Sequence, residues 1–201
     1  MTHARHQQAA TNEASKTPTQ IVDVDRVVSR IDRPVVLIGL MGAGKSTVGR
    51  RLAAVMGREF VDADDAIEDA AQRKISEIFE EFGEAYFRDG ERRVIARLME
   101  ETCGVIATGG GAFVDPETRA LILEKGIAVW IDCDIDTLVE RTARRNHRPL
   151  LKTGDPRDIL TRLMGERGPL YAEAPVRVQS DEGPHNETAY AILRAIGEYL
   201  A

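Results

Sequence analysis

The chain has 201 residues, 43% of them hydrophobic, which suffices for one well-packed domain and leaves little for a second. Its 27 Lys and Arg against 33 Asp and Glu give a net charge of −6, so there is no global attraction for nucleic acid or for an anionic membrane, and any anion binding has to be local. Cys103 and Cys133 match no metal-ligand spacing and read as thiols of a reducing cytosol, and no apolar run approaches the roughly 20 residues that cross a bilayer.

Residues 1–30 are polar, rich in Thr, Gln and Ala, and lack the apolar core of a secretory signal. They are expected to form a mostly disordered tail ahead of a single domain over 31–201, because so little apolar surface cannot offset the entropy of ordering them. From there short apolar runs alternate with amphipathic stretches, the pattern of a parallel sheet covered by helices.

The first run, Val35 to Ile38, leads into Gly39-Leu40-Met41-Gly42-Ala43-Gly44-Lys45-Ser46-Thr47. The spacing G-x-x-x-x-G-K-S fits a loop whose backbone N–H groups curl around phosphate, with Lys45 as a fixed charge near the β- and γ-phosphates and the Ser46 hydroxyl suited to Mg²⁺. A nucleoside triphosphate is the ligand this implies, held by Gly42, Ala43, Gly44, Lys45, Ser46 and Thr47 at the start of the following helix.

After a second strand, Glu59 to Val61, come Asp62 and Asp64, two apart and facing the same side if the backbone is still extended. One carboxylate near the metal and one near an acceptor hydroxyl would suit phosphoryl transfer, while Asp65 takes the default role of helix N-cap. Farther on, Arg88 has Glu91 three residues later on the same helical face, able to hold its guanidinium. A third strand, Val105 to Ala107, runs into Thr108-Gly109-Gly110-Gly111-Ala112, where three consecutive glycines imply a backbone that approaches something closely or uses positive φ.

Asp115-Pro116-Glu117 starts a helix that Gly126 stops, and Ile127 to Ile131 is the fourth strand. Arg141 and Arg144 lead into residues 144–155, a segment with no sustained periodicity that reads as a mobile loop holding Arg145 and Arg148. Its tip, Arg148-Pro149-Leu150-Leu151, suits a lid whose guanidinium stabilises charge on a transferred phosphoryl group. Asp155-Pro156 starts a helix to about Met164, with Arg167 just after it, and Val176 to Val178 is the fifth strand.

In this order, the phosphate loop, Phe60-Val61-Asp62-Ala63-Asp64 with Ile67-Glu68, Phe87-Arg88 with Glu91, Gly109-Gly110-Gly111-Ala112, Arg148-Pro149-Leu150-Leu151 and Arg167-Gly168-Pro169-Leu170-Tyr171 resemble the shikimate kinases over about residues 33–200. The resemblance implies an α/β, three-layer P-loop kinase fold like that of nucleoside monophosphate kinases: a five-stranded parallel sheet, helices on both faces and a mobile lid. It implies transfer of the ATP γ-phosphate to the 3-hydroxyl of shikimate with Mg²⁺, on the route to chorismate and the aromatic amino acids. By the same resemblance Lys45, Asp64 and Arg148 are catalytic and Ser46 and Asp62 serve the metal. Arg88, Arg167, Gly110, Gly111 and Asp64 hold shikimate, while Arg141 lies against adenine and Arg148 belongs to the lid. Ser180-Asp181-Glu182-Gly183-Pro184 falls where an adenine loop would, but its acidic residues depart from the basic or neutral pattern.

The expected partners are ATP and shikimate, with no nucleic acid or membrane, in a cytoplasmic monomer. Two other readings stay open: a kinase of gluconate or a nucleoside monophosphate on the same fold, and a non-catalytic nucleotide-binding regulatory module. The first would not explain the glycine turn beside a carboxylate-sized arginine pair. The second would be expected to lack Lys45, Asp64 or the lid arginine, and all three are present.

Overall fold

Consecutive side chains of a strand face opposite sides of its sheet, so complete burial of Val35, Val36, Leu37 and Ile38 requires cover on both faces. A computed structural model describes residues 23–143, 154–180, 183 and 185–201 and shows that cover. The strands are β1 (Val35–Ile38), β2 (Phe60–Asp62), β3 (Val105–Ala107), β4 (Ile127–Asp132) and β5 (Val176–Gln179). They form one all-parallel sheet in the order β2-β3-β1-β4-β5, in which Val36 pairs with Ile106 on one side and Ala128 on the other. Each expected strand is present, displaced at its ends by no more than one residue.

The helices are α1 (Val24–Val28), α2 (Lys45–Met56), α3 (Ala63–Ala71), α4 (Ile75–Glu101), α5 (Pro116–Lys125), α6 (Ile135–Ala143), α7 (Pro156–Tyr171) and α8 (His185–Tyr199). Asp115 caps α5 by accepting from Thr118 N at 2.8 Å, with Pro116 pre-set for the first turn and Gly126 at its end. Asp155 and Pro156 start α7 in the same way. α2 and α8 pack side by side and carry α1, while α4 packs against α3 and α5, and α6 against α7. The core runs through β1, β3 and β4, where each fully buried Val, Leu or Ile contributes about 1.5–3 kcal/mol.

Two boundaries differ from the sequence expectation. The ordered unit starts before residue 31, because Val24, Val27 and Val28 of α1 pack on the core and Arg58 donates to Val28 O at 3.0 Å and to Ile31 O at 2.8 Å. α7 continues past Met164 and through Pro169 to Tyr171. Proline forfeits one backbone hydrogen bond there, but contacts that Arg167 and Tyr171 make with the rest of the protein outweigh that propensity penalty. Residues 144–153, which hold the expected lid and Arg148, lie outside the described residues, as do Asp181, Glu182 and Pro184.

The topology also locates a crevice. β1 and β3 are neighbours, yet the chain leaves β1 toward β2 and leaves β3 toward β4, on opposite sides, so the space beyond their carboxyl ends is open to a ligand.

Candidate active site

The loop after β1 has its three glycines at φ values of +136° (Gly39), +86° (Gly42) and +94° (Gly44), a region that side chains disfavour. Gly44 is also the N-cap of α2, and no side chain caps that helix, whose positive end opens toward the crevice. Ala43 is buried, and Lys45, Ser46 and Thr47 form the first turn. Lys45 Nζ donates to Gly39 O at 2.8 Å and Leu40 O at 3.0 Å, which holds its charge at the mouth of the loop. Arg141 comes from α6 to the other side of the loop, donating to Ser180 Oγ at 3.2 Å and lying against Gly44.

Asp62 and Asp64 do come together, though not along an extended strand. β2 ends at Asp62, which has extended backbone and is itself the N-cap of α3, accepting from Asp64 N at 3.2 Å through Oδ1. Asp65 is therefore not the cap: it sits three residues into the turn, too deep to reach the first N–H groups. The other oxygen of Asp62, Oδ2, accepts from Ser46 Oγ at 2.7 Å. Asp64 is half-buried, and burial, reinforced by the negative charge of Asp62 and opposed by Lys45, pushes its carboxyl above the ordinary carboxylate range.

The glycine turn after β3 is explained by close approach rather than by positive φ, which none of Gly109, Gly110 and Gly111 adopts. A Cβ on Gly109 would stand 2.8 Å from Asp64 Oδ1 and 3.3 Å from Glu91 Oε1. On Gly111 it would stand 2.3 Å from Arg88 Nη2. Arg88 reaches that place from α4, and Glu91, only 1% exposed, accepts from its Nη1 at 2.5 Å, as the spacing of three suggests. Burial pushes the Glu91 carboxyl up, Arg88 opposes this, and the charge of Asp64 adds to it.

Arg167 lies within α7, not beyond it, and its Nη1 donates to Gly110 O at 3.1 Å. Arg88 and Arg167 thus arrive from different helices against consecutive glycines of one turn. Tyr171 O–H donates to the same Gly110 carbonyl, a contact the sequence reading missed. Its signal was the four-residue spacing from Arg167, legible only if the helix is taken through Pro169. The arrangement pairs an anion-binding loop with a wall of two guanidinium groups, and sets one elevated carboxyl between them.

The shikimate kinase family profile matches residues 41–197. A shikimate kinase of Novosphingobium aromaticivorans is 60% identical over 182 residues, covering 89% of this chain and 94% of that relative. A solved shikimate kinase from Acinetobacter baumannii in complex with shikimate superposes with a TM-score of 0.79 at 37% identity, covering 85% of this chain and 96% of that one. A gluconokinase from Sinorhizobium meliloti shares the fold alone, with a TM-score of 0.58 at 17% identity over 84% of this chain and 94% of that one.

Proposed function

The chain belongs to the shikimate kinase family, and from that premise we propose that it transfers the γ-phosphate of ATP to the 3-hydroxyl of shikimate, giving shikimate 3-phosphate and ADP. The observation that carries this reading is the convergence of Asp64, Arg88 and Arg167 on the Gly109 to Gly111 turn, opposite the phosphate loop.

The loop N–H groups and Lys45 hold the triphosphate, and Arg141 flanks its adenine end. Arg88 and Arg167 grip the acceptor carboxylate, a planar anion for which forked N–H donors are the matched partner. Gly110 and Gly111 bring backbone to the ring, and Asp64 orients the hydroxyl. The hydroxyl oxygen bonds to the γ-phosphorus as the bond to the ADP oxygen breaks, and the hydroxyl proton passes to Asp64. An elevated carboxyl is a better proton acceptor than an ordinary one, which suits Asp64 to this step.

Ser46 Oγ and Asp62 Oδ2, hard oxygens 2.7 Å apart, fit Mg²⁺, which takes few protein ligands and completes its shell with phosphate oxygens and water. When bound, the ion would neutralise phosphate charge. Arg148 is assigned to the transferred phosphoryl group on the family resemblance alone.

No helix among the described residues is long and apolar enough to cross a membrane, and we place the enzyme in the cytoplasm as a monomer. The test is a coupled assay of ADP release with shikimate as the only acceptor. Turnover is expected there, and turnover on gluconate or a nucleoside monophosphate instead would overturn the reading.

A further inference from the structure

A carbonyl oxygen has two lone pairs, and at Gly110 both are taken by side chains from one helical turn, Arg167 Nη1 at 3.1 Å and the Tyr171 hydroxyl. The Gly110 carbonyl and the Gly111 N–H belong to one planar trans peptide and point in opposite directions, so fixing the first fixes the second. The turn's own hydrogen bonds run from Ala112 N to Gly109 O and from Val114 N to Gly111 O; among the described residues neither Gly110 N nor Gly111 N donates to backbone. Those two N–H groups are among those the turn can offer a ligand. Glycine neighbours leave such a peptide free to rotate unless something holds it.

Tyr171 is fitted to hold it. Its side chain is fully buried at the end of α7, its ring packs 6.0 Å from that of Trp130, and a phenol is protonated, and so a donor, at neutral pH. We propose that Tyr171 is a positioning residue, whose hydroxyl pins the Gly110 carbonyl to α7 and thereby aims the Gly111 N–H at the acceptor and sets Arg167 beside it. This rests on the shikimate kinase reading, and it adds a residue that acts on the acceptor through the turn without touching it.

Tyr171→Phe removes the hydroxyl and keeps the ring. The KM for shikimate should rise roughly 5- to 10-fold, the scale of one hydrogen bond, while the KM for ATP and the affinity for ADP stay within about twofold. A merely structural role would lower the active fraction, and so kcat, without separating the two KM values. In the acceptor-free protein the amide order parameters of Gly110 and Gly111 should fall from about 0.85 toward about 0.6. Equal changes in both KM values, no change in either, or unaltered order parameters would each overturn the proposal. A wild-type chain inactive on shikimate would overturn the functional reading and the acceptor part of this inference with it, while the order parameters would still decide whether Tyr171 pins the turn.

Discussion

Ser46 Oγ donates to Asp62 Oδ2 at 2.7 Å, joining the first turn of α2 to the end of β2 and the start of α3. Because Asp62 also caps α3, its charge and its capping can be separated by substitution. Asp62→Asn keeps a capping oxygen and loses the charge, whereas Asp62→Ala loses both. Both should weaken the Mg²⁺-dependent part of ADP binding by roughly 10- to 100-fold, measured by calorimetry with and without the ion. Only the alanine variant should also lose about 1 kcal/mol of stability, or about 2–4 °C in melting temperature.

Asp64 is a cost to the fold when ionised. Its folded pKa lies above the ordinary 3.8, so the folded state holds this proton more tightly than the unfolded chain does. The stability it contributes is complete below the unfolded value and is lost as pH rises through the elevated one. Asp64→Asn should therefore melt higher than wild type at pH 7, with the gain shrinking near pH 4, while turnover falls on the order of 10²–10⁴-fold. Wild-type turnover should drop as acid carries the pH down through that elevated value. A variant that melts lower at pH 7 would count against burial as the cause of the shift.

The glycine turn should discriminate sharply between neighbours. Gly111→Ala places a Cβ in the Arg88 guanidinium and should cost about 1–3 kcal/mol in stability or acceptor affinity, whereas at Gly110 the nearest protein atoms would be 3.5 Å away, an ordinary contact. Gly110→Ala should thus fold normally and show its effect only in the KM for shikimate. Arg88→Ala should weaken shikimate by roughly 1.5–3 kcal/mol with ATP affinity nearly unchanged, and equal losses for both ligands would put Arg88 in the wrong half of the site.

Lys45→Met should lower turnover on the order of 10³-fold or more with the fold intact, because a charge poised at the phosphate loop acts on the transition state. Retention of a tenth of wild-type turnover would contradict that role.

Most of the sheet was legible because buried parallel strands are nearly continuous apolar runs, as in Val35 to Ile38, and because loops such as Gly39 to Gly44 encode their own conformation. Asp115 and Asp155 were legible as caps because capping is local. The cap at Asp62 was not, since it depends on the residue at which β2 stops, and the edge position of that strand leaves its end unmarked by burial. The end of α7 was hidden for the opposite reason: local propensity points to a stop before Pro169, and the contacts that override it, to Gly110, come from 57 and 61 residues away. The same distance concealed Tyr171. Arg88 with Glu91 was readable because the partner lies one helical turn along.

At Gly109 and Gly111 every codon change that alters the amino acid introduces a carbon into space already claimed by Asp64 or Arg88. Evolutionary drift, or a designer seeking a different sugar-like acid, would have to move the Asp64 carboxylate or the Arg88 guanidinium together with the glycine it replaced. Novel acceptor preferences would have to originate on the facing helices, α3, α4 and α7, with the turn retained as the template against which each new ring is measured.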